Sequence, residues 1–497
     1  LDKEIQRRIA QKTLVEMGPD GEHEFLWRHQ QLGRELAQVN DKYGFFYDTR
    51  TGKTPMSLQI MLDDVKANPD HKWLVLCPLI LIENAWLPDA KDMFPELKII
   101  SLHASLKDKR LALFKQKANV YVLNIESFAS YRDEVEKLGI HGCIVDESST
   151  MKSNSSKFGK EAVDYAWTLK RWYLLSGSPA PNGEWEYYRQ LQSIDFYGVH
   201  ESFNQFKLYF FDNTSRNPQY EKLRVKSDRY AELLALLQQY SLYVDKEDVL
   251  DTPGRDFIEV PLKLPPSLRE NYDQLRNEMF LEIGENISIT SPSAAATLNK
   301  LNQVSSGFAI DTAAMKFNKM VREHSKHGGE LAFEPFKQED HLLSEYRFDA
   351  LEELLAKHPG EQIIIWANYR KEFEVIQQRL GASCALIYGA TNIQDKNNSI
   401  RAFKEGRLQY LVANPASADK GLTLTNSHIC IYFSMNYSYE LWKQSKERIY
   451  GSIIKQPKRC IYYIMIATGT VDRAIYTTVE NKGDMSMAIL DHLKGGL

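Results

Sequence analysis

Short apolar runs alternate with longer amphipathic stretches from Tyr43 to about Asp195. Strands buried on both faces carry unbroken apolar side chains, whereas helices carry only an apolar stripe, so this rhythm predicts a parallel sheet flanked by helices. Strands are expected at 44–47, 73–77, 98–101, 120–123, 143–145 and 172–175. The rhythm returns at 362–366, 385–388, 410–412, 429–433 and 461–466, predicting a second α/β lobe. Between the lobes the chain is aromatic near 196–211, Leu-rich near 233–242, and polar with paired glycines at 324–330. The outline is therefore an α/β chain with a first lobe at 1–195, mainly helical insertions and a linker at 196–345, and a second lobe at 346–497.

Bulk properties fit that outline. At 497 residues the chain exceeds what one hydrophobic core sustains. Its 43% hydrophobic and 26% charged content is that of a globular protein rather than a disordered or fibrous one. The 62 Lys plus Arg nearly cancel the 66 Asp plus Glu, so any basic track for a nucleic-acid partner must be local. The run 73–82 is too short for a membrane span, and LDKEIQRRIAQK lacks the apolar stretch of a secretory signal. A cytoplasmic protein without a membrane partner is expected. Each of the five cysteines lies in or beside a strand-like run, with no CxxC pair, which points to small buried hydrophobes rather than metal ligands or disulfides.

The first strand ends in DTRTGKT, Asp48 to Thr54, and runs into the helical pattern PMSLQIMLDDV. A phosphate group needs this arrangement: backbone N–H groups at a helix start, a lysine for the terminal phosphates and a hydroxyl for magnesium. Asp48, Thr49, Arg50, Thr51, Gly52, Lys53 and Thr54 are thus the candidate nucleotide loop, with Lys53 as the phosphate cation and Thr54 as a magnesium ligand. Tyr47 stands where the general pattern wants glycine. Arg50 either contacts phosphate or points into solvent. Downstream, CIVDESS ends an apolar strand in Asp146 and Glu147, acids that are costly there without a task. Asp146 suits magnesium, and Glu147 suits the orientation and deprotonation of an attacking water. ATP and Mg2+ are the implied cofactors.

With these motifs placed, the chain resembles the Swi/Snf-type DNA translocases of helicase superfamily two over nearly its whole length. The resemblance implies two RecA-like parallel-sheet lobes in tandem, ATP hydrolysis and double-stranded DNA as partner. LWRHQQLG resembles the adenine-reading segment and implies that Gln30 meets the base. LSGSPAPNGEWE resembles the third motif, which implies coupling roles for Ser178 and Pro179, and for Asn182. CPLILIENAW and NIESF resemble the segments by which the first lobe touches one strand, through Pro78, Asn84, Asn124 and Ser127. In the second lobe IIIWANYRKEFEVIQQRL resembles the fourth motif, ALIYGAT supplies Gly389 and Thr391, and the fifth-motif-like VANPASADKGLTLTNSHICIYFSMNYS supplies Gly421, Thr423 and Thr425 toward the DNA path, with Asp419 or Lys420 toward the cleft. ATGTVDRAIYTTVENK, 467–482, resembles the family's terminal brace.

The sixth motif departs from the pattern. Gln444, in a coupling role, and Arg448, as the catalytic cation, fit it, but Gly451 occupies the second arginine position and the closing glutamine comes only at Gln456. Lys455 is a poor substitute, because an ammonium lacks the planar fork of a guanidinium. The resemblance therefore implies a DNA-stimulated ATPase, in a compact phage or bacterial form, that moves along duplex DNA largely without sequence preference. Two alternatives stay open: a fork-unwinding or branch-migration helicase on forked DNA or RNA, and a slowly hydrolysing ATP-dependent DNA clamp.

Overall fold

The computed structural model describes residues 26–195, 198–200, 202–214, 223–278, 280–283, 287–290, 294–310, 340–418, 422–451 and 456–480. Two compact units result, with the division between Thr252 and Pro253. Both are α/β, and each is built on a RecA-like sheet in which every pairing is parallel.

The first sheet has strands β1 (Lys42–Tyr47), β2 (Trp73–Cys77), β3 (Ile99–Ser101), β4 (Val120–Asn124), β5 (Gly142–Asp146), β6 (Arg171–Leu175) and β7 (Ser241–Val244), in the order β3-β4-β2-β5-β6-β1-β7. Alternate side chains feed two cores. Phe46, Leu74, Leu76, Leu123, Val145, Trp172 and Leu174 face one side, while Phe45, Tyr47, Val75, Cys77, Val122, Ile144 and Tyr173 face the other. Helices α1 (Arg28–Val39) and α2 (Lys53–Ala67) cover the second face through Leu32, Met56, Leu58 and Met61. Helices α3 (Lys157–Ala166), α4 (Tyr188–Ile194) and α5 (Tyr230–Tyr240) cover the first through Val163, Leu191 and Leu237. Ser156 caps α3 by accepting the Gly159 N–H at 3.2 Å.

The second sheet holds β8 (Arg255–Leu262), β9 (Ile363–Trp366), β10 (Cys384–Ile387), β11 (Tyr410–Ala413), β12 (Ile429–Tyr432) and β13 (Cys460–Ala467), ordered β8-β13-β12-β9-β11-β10. Its core combines Ile363, Ile365, Val412, Ile429 and Ile431 with Phe348 and Leu351 of α8 (Tyr346–Leu355). The five cysteines are free and buried.

The stretch 196–345 differs from its mainly helical outline. It contains α5, α6 (Pro266–Glu278) and α7 (Ala294–Ser305), the shorter helices Phe203–Phe210 and Lys246–Val249, and three two-stranded ribbons, but it also supplies β7 and β8. β7 hides behind the leucines of α5, whose run passes into SLYV without a turn signal. β8 is an edge strand with Phe257 and Ile258 more than a third exposed, and it pairs with β13 over eight residues. Its charges explain why its apolar pattern is weak: Asp256 takes both forks of Arg459 and Glu259 both forks of Arg473. Charged side chains on an edge strand also discourage pairing with another chain. Among the described residues no helix is long and apolar enough to cross a membrane.

One buried ion pair organises the second unit. Arg347, 0% exposed, binds Asp472 and donates to the Phe433 carbonyl at 3.0 Å and Ser306 Oγ at 3.3 Å. Asp472 also accepts from Ser305 Oγ at 2.7 Å and the Ala467 N–H at 3.0 Å. α8, β13 and the helix over 471–480 are thereby tied together. Removing one member of such a pair leaves the other charge buried, at a cost of about 3–5 kcal/mol. Arg347→Leu is therefore expected to lower the urea midpoint of the second unit by an amount corresponding to that loss, whereas Arg370→Leu, at an exposed pair, should change it little.

Candidate nucleotide site

Because all strands of the first sheet run the same way, their C-terminal ends share one edge, and the turns that leave them converge there. Asp48–Thr54 leaves β1, Pro78 leaves β2, Asn124 ends β4, Asp146 ends β5 and Ser176–Pro179 leaves β6. β6 lies between β1 and β5, so the SGSP turn sits between the loop and the acids. Contact there is tight: a Cβ on Gly177 would fall 3.2 Å from Thr49 Cγ2 and 3.3 Å from the Thr49 nitrogen.

The loop itself is held from below. Thr51 is buried and its hydroxyl donates to the Asp48 carbonyl at 2.7 Å. His29 Nε2 lies 2.7 Å from the Thr51 carbonyl, and burial depresses this imidazole to about 4, so it is neutral and donates. Gln30, 4% exposed, donates to the Thr51 and Gly52 carbonyls at 3.0 and 3.2 Å and accepts the Trp27 N–H at 2.9 Å. The glutamine that the resemblance assigns to the base thus sits directly under the loop. Gly52 adopts φ +77° at the start of α2, and a Cβ there would meet Gln30 Nε2 at 1.8 Å.

The departures from the loop pattern acquire a physical reading. Tyr47 is the last residue of β1, and its hydroxyl donates to the His29 carbonyl at 2.8 Å, so a large side chain is accommodated where the general loop pattern wants glycine. Arg50 has φ +65°, a left-handed conformation that is cheap for glycine and costly for arginine. Glu147 has φ +56°. Among the described residues these two are the non-glycine positions with positive φ, and both flank the candidate site, where such strain concentrates.

Charge is concentrated at the same edge. Lys53 Nζ donates to the Tyr47 and Asp48 carbonyls at 2.9 and 3.2 Å. Burial lowers its proton affinity, while Glu147, Asp146 and Asp48 pull it back up. Asp146, 5% exposed, accepts the Trp86 indole N–H at 3.1 Å and the Glu147 N–H at 3.0 Å. Burial first and the Glu147 charge second push its carboxyl up to about 6. A buried carboxylate this short of positive charge suits a divalent cation, with the Thr54 hydroxyl at the first turn of α2 as a second oxygen donor. A link invisible in the motifs joins the acids to the SGSP turn: Ser148 Oγ donates to Gln190 Oε1 at 2.8 Å, and Gln190 Nε2 donates to the Pro179 carbonyl at 2.8 Å. Asn182 instead pairs with Glu186, at 2.7 Å from its side chain.

The candidates for a nucleic-acid strand divide. Asn84 is exposed on a π-helical turn, Ile82–Trp86, whose Trp86 meets Asp146. Ser127 accepts from Arg110 at 2.8 Å and Asn124 donates to Glu126 at 3.0 Å. In the second unit Thr391 closes a turn, its hydroxyl accepting the Tyr388 N–H at 3.1 Å beside the open Gly389. Thr423 and Thr425 are partly exposed, while Gly421, Asp419, Lys420 and Lys455 lie outside the described residues. Gln444 donates to Glu440 at 3.2 Å on the helix Tyr439–Lys446, and Arg448 follows that helix with its carbonyl accepting the Leu424 N–H at 2.9 Å. Gln456, displaced in sequence, donates to the carbonyls of Thr425, Ser427 and Ile449 at 3.1, 2.7 and 3.1 Å. It therefore ties the fifth-motif-like segment to the sixth. The one group of three metal-type side chains among the described residues, Asp64, His71 and His141, lies at the opposite edge of the first sheet, where Asp64 is already engaged by His71 at 3.1 Å and Trp73 at 2.9 Å.

Comparison with known proteins agrees with this geometry. The family described as SNF2-related domain matches residues 37–327, and the helicase conserved C-terminal domain matches 346–450. The putative protein p41 of Acyrthosiphon pisum secondary endosymbiont phage 1 is 23% identical over 459 residues, covering 89% of this chain and 93% of that protein. The SWI/SNF-related matrix-associated actin-dependent regulator of chromatin subfamily A-like protein 1 of Drosophila melanogaster is 21% identical over 420 residues, and the human DNA repair and recombination protein RAD54-like is 20% identical over 475. The chain spans 49% and 62% of the length of those two proteins. The Sulfolobus solfataricus SWI2/SNF2 ATPase core domain aligns with a TM-score of 0.40 at 19% identity, covering 95% of this chain and 91% of that one.

The raised Asp146 carboxyl has a definite pH signature. It binds its proton more tightly folded than unfolded, so in chelator the fold loses stability as pH rises from its ordinary value toward about 6. Divalent-cation affinity follows the opposite course, because the cation needs the carboxylate. Titration with Mn2+ should show affinity falling below about pH 6 in the wild type, and a weak, flat profile in Asp146→Asn.

Proposed function

Because this chain belongs to the SNF2-related family of helicase-type, ATP-hydrolysing enzymes, we propose that it couples ATP hydrolysis to translocation along double-stranded DNA. The observation that carries the proposal is the convergence, on one edge of one sheet, of the phosphate loop, the Asp146–Glu147 pair, the SGSP turn and the candidate strand contacts Pro78 and Asn124. The DNA repair and chromatin names of the relatives support DNA as the track.

In this reading the N–H groups of Arg50 to Lys53 and the Lys53 ammonium bind the nucleotide phosphates, and Gln30 holds the loop while facing the base. Magnesium, held by Thr54 and Asp146, supplies positive charge to the terminal phosphates when bound. Glu147 orients a water and takes its proton as the water oxygen bonds to the terminal phosphorus and the bond to the bridging oxygen breaks. Arg448 supplies a guanidinium to the same charge, and Gly451 leaves the second such position empty of one. Pro78, Asn84, Asn124, Ser127, Gly389, Thr391, Gly421, Thr423 and Thr425 contact the phosphate backbone, which makes movement largely indifferent to sequence. Ser178 and Pro179, linked through Gln190 to Ser148, pass the state of the acids to the strand-binding turns.

The test is ATP turnover measured with blunt duplex, single-stranded and forked DNA and with RNA. Duplex DNA is expected to stimulate turnover most, with stimulation falling as salt rises. Lys53→Ala and Glu147→Gln should each lower turnover by roughly 100-fold or more, and Arg448→Ala by a comparable factor with ATP binding retained. Displacement of a third strand from blunt duplex without fork unwinding supports translocation. Turnover independent of DNA would overturn the proposal, and fork unwinding would replace it with a helicase.

A further inference from the structure

Lys246 belongs to none of the motifs above. It opens the short helix Lys246–Val249 after β7 and is 1% exposed, an unusual place for a lysine. β7 runs beside β1 with Val244 opposite Tyr47, and the Asp48 N–H donates to the Val244 carbonyl at 2.8 Å, so the two strand ends leave the sheet together. Asp245 caps the short helix by accepting the Glu247 N–H at 3.1 Å. That turn brings Lys246 back to the phosphate loop, where Nζ donates to Thr49 Oγ1 at 3.3 Å. Thr49 is held from two other sides, by its N–H to Asp48 Oδ1 at 2.8 Å and by the close approach of Gly177.

We infer that Lys246 is a positioning residue of the nucleotide site: it fixes Thr49, and with it the N–H groups of the loop, and sets a second buried positive charge beside the polyphosphate. Burying an ammonium is costly unless anions compensate it, and a second one near Lys53 adds repulsion to that cost. The acids Glu147, Asp146 and Asp48 lie near Lys53 at the same edge, and a bound polyphosphate would bring its negative charge between the two lysines. The inference rests on the nucleotide site proposed above and adds a residue to it.

The test uses the full chain with Lys246→Met, with Lys246→Gln, which keeps a donor for Thr49 without the charge, and with Lys246→Arg. Binding of fluorescent ADP, its displacement by inorganic pyrophosphate, and kcat and KM separately are measured, with melting temperature as the control for folding. Lys246→Met is expected to weaken ADP and pyrophosphate roughly tenfold and to raise KM more than it lowers kcat, with Lys246→Gln intermediate and Lys246→Arg near wild type. Wild-type ADP and pyrophosphate affinity in Lys246→Met overturns the inference. If Lys246→Met does not fold, wild-type pyrophosphate affinity in Lys246→Gln overturns it equally. Lys53→Ala run in parallel separates the two readings: if it binds ADP normally the nucleotide site itself fails, and if it alone loses binding only the role of Lys246 fails.

Discussion

The buried Asp146 carboxylate is the constraint around which the first unit is arranged. A parallel sheet offers an acid at a strand end little water, and Asp146 is compensated by an indole N–H, a backbone N–H and a nearby lysine rather than by a full ion pair. Its neighbours act in opposite senses, the Glu147 charge adding to that shortfall and Lys53 reducing it. Glu147 reaches it in a left-handed conformation that arginine and glutamate rarely adopt, Lys53 approaches from the next-but-one strand, and Trp86 arrives on a turn with one residue more than an α-helix allows. The edge is thus under electrostatic and conformational strain that the proposed cation and polyphosphate would relieve.

Much of this was legible in the chain. Strands such as 73–77 are unmistakable because burial on both faces leaves an uninterrupted apolar run, and GKT and DE stand out because each ends such a run. What escaped depends on contacts far apart in sequence. β7 is masked by the leucines before it, and β8 by the charges that protect an edge. Lys246 and Gln190 carry no local signal at all, since a lysine at a helix start and a glutamine within a helix are ordinarily solvated. The boundary set at 195 by pattern alone falls at 252 in the fold for the same reason: β7 completes the sheet long after the rhythm has lapsed.

The second unit solves a related problem differently. Arg347 and Asp472 are buried as a complete pair with further donors and acceptors on both partners, so charge there is satisfied within the protein. Gln456 shows the same economy of contact. Although its sequence offset breaks the sixth motif, its amide still bridges three carbonyls, so the structural half of that motif survives where the second arginine is missing. Sequence spacing alone made the two losses look alike.

The π-helical turn carries a last implication. Its five residues place Asn84 in solvent and Trp86 in the core, so one short segment has its middle on the outer surface and its last residue on the carboxylate. Any change in the charge of Asp146 alters the acceptor that the indole meets, and an indole's emission depends on that field. Trp86 is therefore an optical gauge of the acid, two residues from Asn84, the proposed strand contact.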